Sequence, residues 1–218
     1  MGMLLESGAF AEGSVMPPEF AFGTIDAKSP ESHIALSSNI NPDFRWSGLP
    51  ASTQSLVLLC VDPDVPSRGD DVNQEGRTVP ASLPRVDFFH WVLIDLPSTA
   101  APIGRGEFSS GVTPRGKSGP TAARADGSSV RHGINDYTSW FANDKDMAGN
   151  YFGYDGPCPP WNDAIPHRYV FTLYALDLPR LPVEGMFNGA DVRRALVGHV
   201  LEQASVRARY SLNPAVHL

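Results

Sequence analysis

The sequence predicts one large domain of the all-β or α+β class, and three observations lead there. Glycine and proline supply 20 residues each of the 218, above ordinary usage but below low-complexity composition. Apolar runs rich in valine, leucine, isoleucine and aromatics recur at strand length, whereas a helical stripe occurs only once. Hydrophobic residues make up 42% of the chain and aromatics 10%. That is enough apolar material to offset the entropy of ordering, so a disordered chain is excluded.

Three runs read as long strands: LVLLCVD over 56–62, FFHWVLIDL over 88–96 and YVFTLYALD over 169–177. Each is apolar on both sides rather than alternating, which predicts central strands covered on both faces. Segments 33–37 and 44–46 are shorter strand candidates. The single helical pattern opens at Asn188-Gly189-Ala190-Asp191, with Asn188 as cap and Asp191 in the first turn. Val192, Ala195, Leu196, Val200 and Leu201 would form its apolar stripe. Residues 205–210 (SVRARY) then alternate as a last strand. Residues 67–87 and 98–155 are poor in apolar runs and are expected to be long inserted loops within a single domain spanning 1–218.

Acidic residues outnumber basic ones 24 to 17, giving a net charge of −7. With no basic block in the chain, an electrostatic grip on nucleic acid or on an anionic membrane is excluded. The longest apolar run, Leu56 to Val61, is too short to cross a bilayer. The opening residues lack a basic region followed by a long apolar one, so they do not read as a signal peptide. Two cysteines, Cys60 and Cys158, build no disulfide framework. A soluble, reduced, cytoplasmic protein without integral membrane contact is the expectation.

Polar groups collect where strands end. In VDPDVPSR (61–68) a strand runs into Asp62, and Pro63 and Pro66 then enforce a rigid extended turn carrying Asp62 and Asp64. His90 lies inside an apolar strand and needs a partner there, for which Asp62 or Asp64 is the candidate. In GYDGPCPPWNDAIPHRYVF (153–171), glycine and prolines stiffen a loop whose backbone N–H groups would face a ligand. Strand alternation then sets His167 and Tyr169 on one face and Arg168 on the other. An imidazole and a phenol beside a stiff loop make a plausible pocket for a small anion.

These three segments, in this order, resemble the phosphatidylethanolamine-binding protein family, also called the Raf kinase inhibitor protein-like family, and its bacterial branch in particular. The likeness rests on Asp62-Pro63-Asp64-Val65-Pro66, on His90-Trp91, and on Gly156-Pro157-Cys158-Pro159-Pro160 leading to His167-Arg168-Tyr169. It runs from about residue 16 to residue 212. The resemblance implies a mainly β fold of antiparallel sheets with Greek-key connections and a few peripheral helices. It also implies a pocket for phosphate-type anions lined by Asp62, His90, Gly156, Pro157, His167 and Tyr169. Asp64, Pro66 and Arg168 would support it, Asp64 and Arg168 as an ion pair, with Val65–Pro66 a candidate cis peptide.

The function expected is therefore non-enzymatic binding of a small anionic or phosphorylated ligand, with no catalytic residue, metal or cofactor. Affinity is expected to rise from about pH 8 to about pH 6 as histidines gain charge. A protein partner regulated through the pocket and a homodimer are further expectations. The competing reading is a hydrolase or transferase-type enzyme using Cys158 with His167, or a metal held by Asp62, Asp64, His90 and His167.

Overall fold

The computed structural model describes residues 2–218. Its early strands are β1 (Leu4–Glu6), β2 (Gly23–Ile25), β3 (Ile34–Leu36) and β4 (Arg45–Ser47). Two long strands follow, β5 (Ser55–Pro66) and β6 (Arg85–Pro97). The middle of the chain holds β7 (Gly116–Lys117), β8 (Thr121–Ala123), β9 (Ser129–His132), helix α1 (Tyr137–Trp140) and β10 (Asn150–Tyr151). The C-terminal third is β11 (His167–Leu176), helix α2 (Gly189–Ala195) and β12 (Val200–Tyr210).

Six strands form the main sheet in the order β12-β11-β5-β6-β9-β8, and every neighbouring pair is antiparallel. Strands β5, β6 and β9 lie side by side, and β11 returns to flank β5, which is the Greek-key order. The small pairs β1–β4 and β2–β3 are also antiparallel, whereas the two-residue pair β7–β10 is parallel.

The central strands are covered on both faces, as their uninterrupted apolar runs require. Leu56, Leu58 and Cys60 join one core cluster with Trp91, Leu93, Phe171 and Leu173. Val57, Leu59 and Val61 join the other with Val92, Ile94, Val192 and Leu196, beneath α2.

Several expected boundaries move. Strand β5 does not stop at Asp62; it runs to Pro66, with Val65 opposite Val86. Two residues of β6 answer three of β5 there, so Pro63 and Asp64 sit in a bulge, where a missing N–H costs no ladder bond. The Val65–Pro66 bond is not cis: among the described residues the cis bond is Gly119–Pro120.

Helix α2 opens as expected, with Asn188 Oδ1 accepting from the Asp191 N–H at 3.0 Å and Asp191 returning the contact. It ends at Ala195 rather than Leu201. Gly198, at φ +84, turns the chain, and Val200 and Leu201 open β12 with 38% and 40% exposure rather than joining the stripe.

The expected loop 98–155 carries β7 to β10 and α1, two of these strands completing the main sheet. The expected loop 67–87 ends sooner, because β6 starts at Arg85.

Candidate functional site

A cavity of about 400 Å³ opens where the C-terminal part of β5, the first half of β6 and the start of β11 converge. Asp62, His90, His167 and Tyr169 form its polar floor, and Phe22, Phe88, Tyr137, Trp140 and Phe141 its aromatic walls. Phe22 stacks on Tyr137 at 4.7 Å between ring centres. Pro159 and Pro160 close another side, and Val65 to Asn73 supply the rim.

His90 reaches the floor because of a second bulge. Cys60 lies opposite Trp91 and the next residue, Val61, opposite Phe89, which leaves His90 as an extra residue in β6. The bulge breaks the two-residue alternation. Phe89 therefore packs with Val92 in one core cluster, and His90 and Phe88 line the cavity on the other side.

The partner expected for His90 is corrected. Neither Asp62 nor Asp64 bonds it; Nδ1 donates to the Asp155 carbonyl at 2.8 Å. That fixes the tautomer and leaves Nε2 without a protein partner among the described residues. Burial pushes the His90 imidazole below its ordinary value, and Asp62 and Asp155 only partly oppose this. The ring is neutral near pH 7 and offers the cavity a lone pair.

Asp62 turns instead to His167. Its Oδ2 accepts from His167 Nδ1 at 2.6 Å, while Oδ1 accepts from the Asp64 N–H at 2.8 Å. His167 Nε2 donates to Asp163 Oδ2 at 3.1 Å, and Arg85 completes the chain on Asp163 at 2.5 Å. Burial alone would lower the His167 imidazole, but the two carboxylates outweigh it and raise it to about 9. Two carboxylates thus face two cations in a closed set. Asp64 is likewise paired: Arg168 grips both its oxygens, Nε at 2.8 Å and Nη2 at 2.7 Å. Arg168 itself points outward, half exposed.

Gly156 and Pro157 do not line the cavity. The Gly156 N–H, expected to face a ligand, donates to Asn39 Oδ1 at 2.8 Å, and its carbonyl accepts from the Tyr137 hydroxyl at 2.7 Å. A Cβ at Gly156 would land on the Phe20 carbonyl, so close backbone packing explains this glycine. The Pro157 carbonyl accepts from the Phe22 and Gly23 N–H groups at 2.9 and 3.1 Å. These two residues hold the wall from behind.

Tyr169 is fully buried, and its hydroxyl has no partner among the described residues. Burial raises its pKa well above the ordinary value, so the proton stays on. Cys158 lines the cavity, but burial pushes its thiol up to about 12. Both nitrogens of His167 are taken by carboxylates, leaving none to draw a proton from it. No thiolate–imidazole pair is assembled. The proposed metal set fails on similar grounds: His90 and His167 each commit Nδ1 elsewhere, and Asp64 is spent on Arg168.

Sequence reading missed Asp163, Asp155 and the aromatic walls. Asp163 stands four residues before His167, inside a segment already singled out. Tyr137, Trp140 and Phe141 form the run YTSWF, a cluster of rings in a stretch read only as an insertion. Asp155 is fully buried, taking Asn39 and Asn135 at 2.7 Å each and Lys117 at 3.0 Å. The sequence carries no sign of that junction.

An antiparallel Greek-key fold holding a small, preformed, aromatic-walled cavity defines a binding protein for a small ligand. Residues 6–211 match the family described as phosphatidylethanolamine-binding protein, and the chain belongs to that family. YbhB of Escherichia coli is 31% identical over 79% of this chain and 82% of its own length. A relative from Methanothermobacter thermautotrophicus is 32% identical over 83% of this chain and 89% of its own. Among solved structures, YbcL of Escherichia coli, described as a member of the mammalian family, superposes with a TM-score of 0.65. It shares 22% identity, with 97% of this chain and 99% of YbcL covered, so it speaks for the fold.

Proposed function

We propose that the cavity binds, without chemical conversion, a small molecule whose head is a phosphate-type anion and whose body lies against the aromatic walls. The observation that carries this reading is the Tyr169 hydroxyl, buried and unpartnered at the floor. A donor left unsatisfied in the interior costs about 1–3 kcal/mol, and a ligand oxygen relieves that cost. The cavity volume of about 400 Å³ exceeds a head group alone, and the rings suit an aryl or other apolar body.

The expected rise in affinity from about pH 8 to about pH 6 is kept, but histidine charging does not supply it. His167, raised to about 9, is already largely charged across that range, and burial holds the His90 imidazole below its ordinary value, so it favours the neutral form there.

Isothermal titration with phenyl phosphate and with phosphoethanolamine tests the reading. Tyr169→Phe should weaken phenyl phosphate roughly 10- to 100-fold, the cost of one hydrogen bond to a charged group. Equal affinity in the variant, or no heat of binding at millimolar ligand, would sink it.

A further inference from the structure

The groups that face the floor differ from those of an ordinary anion site. Asp62 presents carboxylate oxygens, and His90 presents the Nε2 lone pair, since its proton is spent on the Asp155 carbonyl. The Tyr169 hydroxyl is the one group there that donates freely. His167 is charged but has given both protons to Asp62 and Asp163. The other ionisable groups that line the cavity stand in its walls or at its rim rather than on the floor. Tyr137 donates to the Gly156 carbonyl, the Cys158 thiol is protonated, and Arg68 lies at the rim, 70% exposed and 3.5 Å from Asp70.

A fully ionised oxyanion has only lone pairs, so it would meet two acceptors and a single donor. We infer that the floor takes a phosphate group only while that group keeps one proton, and rejects an oxyanion that has none. The inference rests on the phosphate reading above and goes further by naming the protonation state selected. The P–OH would donate to Asp62 or to His90 Nε2, and the Tyr169 hydroxyl would donate to a phosphoryl oxygen. Like charge and desolvated acceptors exclude the unprotonated competitor, so selection comes from a penalty as much as from a new bond.

The test uses matched ligands on the unmodified chain: phenyl phosphate, phenyl sulfate and phenylphosphonate, titrated calorimetrically from about pH 5.5 to 8.5. A phosphate ester loses its second proton near a pKa of about 6, so its affinity should fall about tenfold per pH unit well above that value. Phenyl sulfate, which carries no proton in this range, should bind roughly 10- to 100-fold more weakly than phenyl phosphate at the acid end. Phenylphosphonate holds its second proton more tightly, so its loss of affinity should start at higher pH. That displacement follows the ligand, and a titrating histidine could not produce it.

Comparable affinity for phenyl sulfate at the acid end would overturn the inference, as would a common onset for ester and phosphonate. Both outcomes would leave the phosphate reading standing. No binding of either phosphorus ligand at any pH would remove that reading and the inference with it. Asp62→Asn adds a gain-of-binding arm: the amide can donate, so phenyl sulfate should bind more tightly. Because Asp62 also holds His167, the near-ultraviolet circular dichroism of the variant is compared with the parent before titration.

Discussion

The His167 imidazolium donates from both nitrogens, to Asp62 and to Asp163, from a fully buried position. Its pKa rises from 6.5 to about 9 in the folded chain, with burial opposing the shift and the two carboxylates dominating. A group raised on folding stabilises fully below its unfolded pKa and loses that contribution as pH climbs through the folded one. Stability should therefore fall between about pH 6.5 and about pH 9, by roughly 3 kcal/mol from this residue. Urea unfolding across that window should show the decline in the parent and a much flatter profile in His167→Asn. An equal slope in both would assign the titration to another group. At this scale the sequence disclosed the cast but not the pairing. Asp62, His90 and His167 were legible in their motifs, whereas which carboxylate meets which imidazole depends on bulges that no residue type announces.

Among the elements, the long apolar strands and the capping pair of α2 were the most legible, because period and cap chemistry are local properties. Asn188 and Asp191 exchange both bonds of a capping box at the N-terminus of α2. Asn188→Ala should cost about 1 kcal/mol of unfolding free energy, and Asn188→Gly only a few tenths. Denaturant midpoints at unchanged slope would measure both; a neutral alanine would mean that packing on β6 alone sets the helix. The end of α2 was not legible, since Val200 and Leu201 continue the apolar spacing. Gly198 overrides it by turning the backbone through the left-handed region. The strand carrying DPDVP was also misjudged, because two prolines look like an exit until a bulge accommodates them. The aromatic run over 137–141 belongs to a four-residue helix, too short to leave a period in the sequence.

At the scale of the molecule, the cavity is built from five separate stretches of the sequence, and folding alone brings them together. The segment after β5 is tied to the loop before β11: Asn162 Nδ2 donates to the Asp71 and Arg77 carbonyls at 2.8 and 3.1 Å, and Arg85 holds Asp163. A ligand that binds only this assembled form must stabilise the whole fold. At a hundred times its dissociation constant, phenyl phosphate should add about 2.7 kcal/mol. For a chain of this size that is a rise of roughly 5–10 °C in Tm, readable by calorimetry. Tyr169→Phe should lose most of the rise, and a parent Tm unmoved by saturating ligand would contradict the proposed site. Overall architecture was accessible from sequence through three ordered motifs; the walls were not, since they come from segments whose composition resembles mobile loop.

The closed pairing beneath the cavity reaches beyond stability. Asp62 and Asp163 are balanced by His167 and Arg85, Asp64 by Arg168, and Asp155 by Lys117. No uncompensated charge on the floor waits for a counter-ion, and apart from the half-exposed Arg168 the pairs lie largely out of reach of the ionic atmosphere. Recognition should then depend on hydrogen-bond matching and ring contact rather than on long-range attraction. Raising the salt from about 0.05 to 0.5 M should leave the dissociation constant of phenyl phosphate nearly unchanged, whereas a site of surface lysines would weaken steadily. Occupancy would then follow the ligand's own concentration and protonation, and stay indifferent to the ionic strength around it.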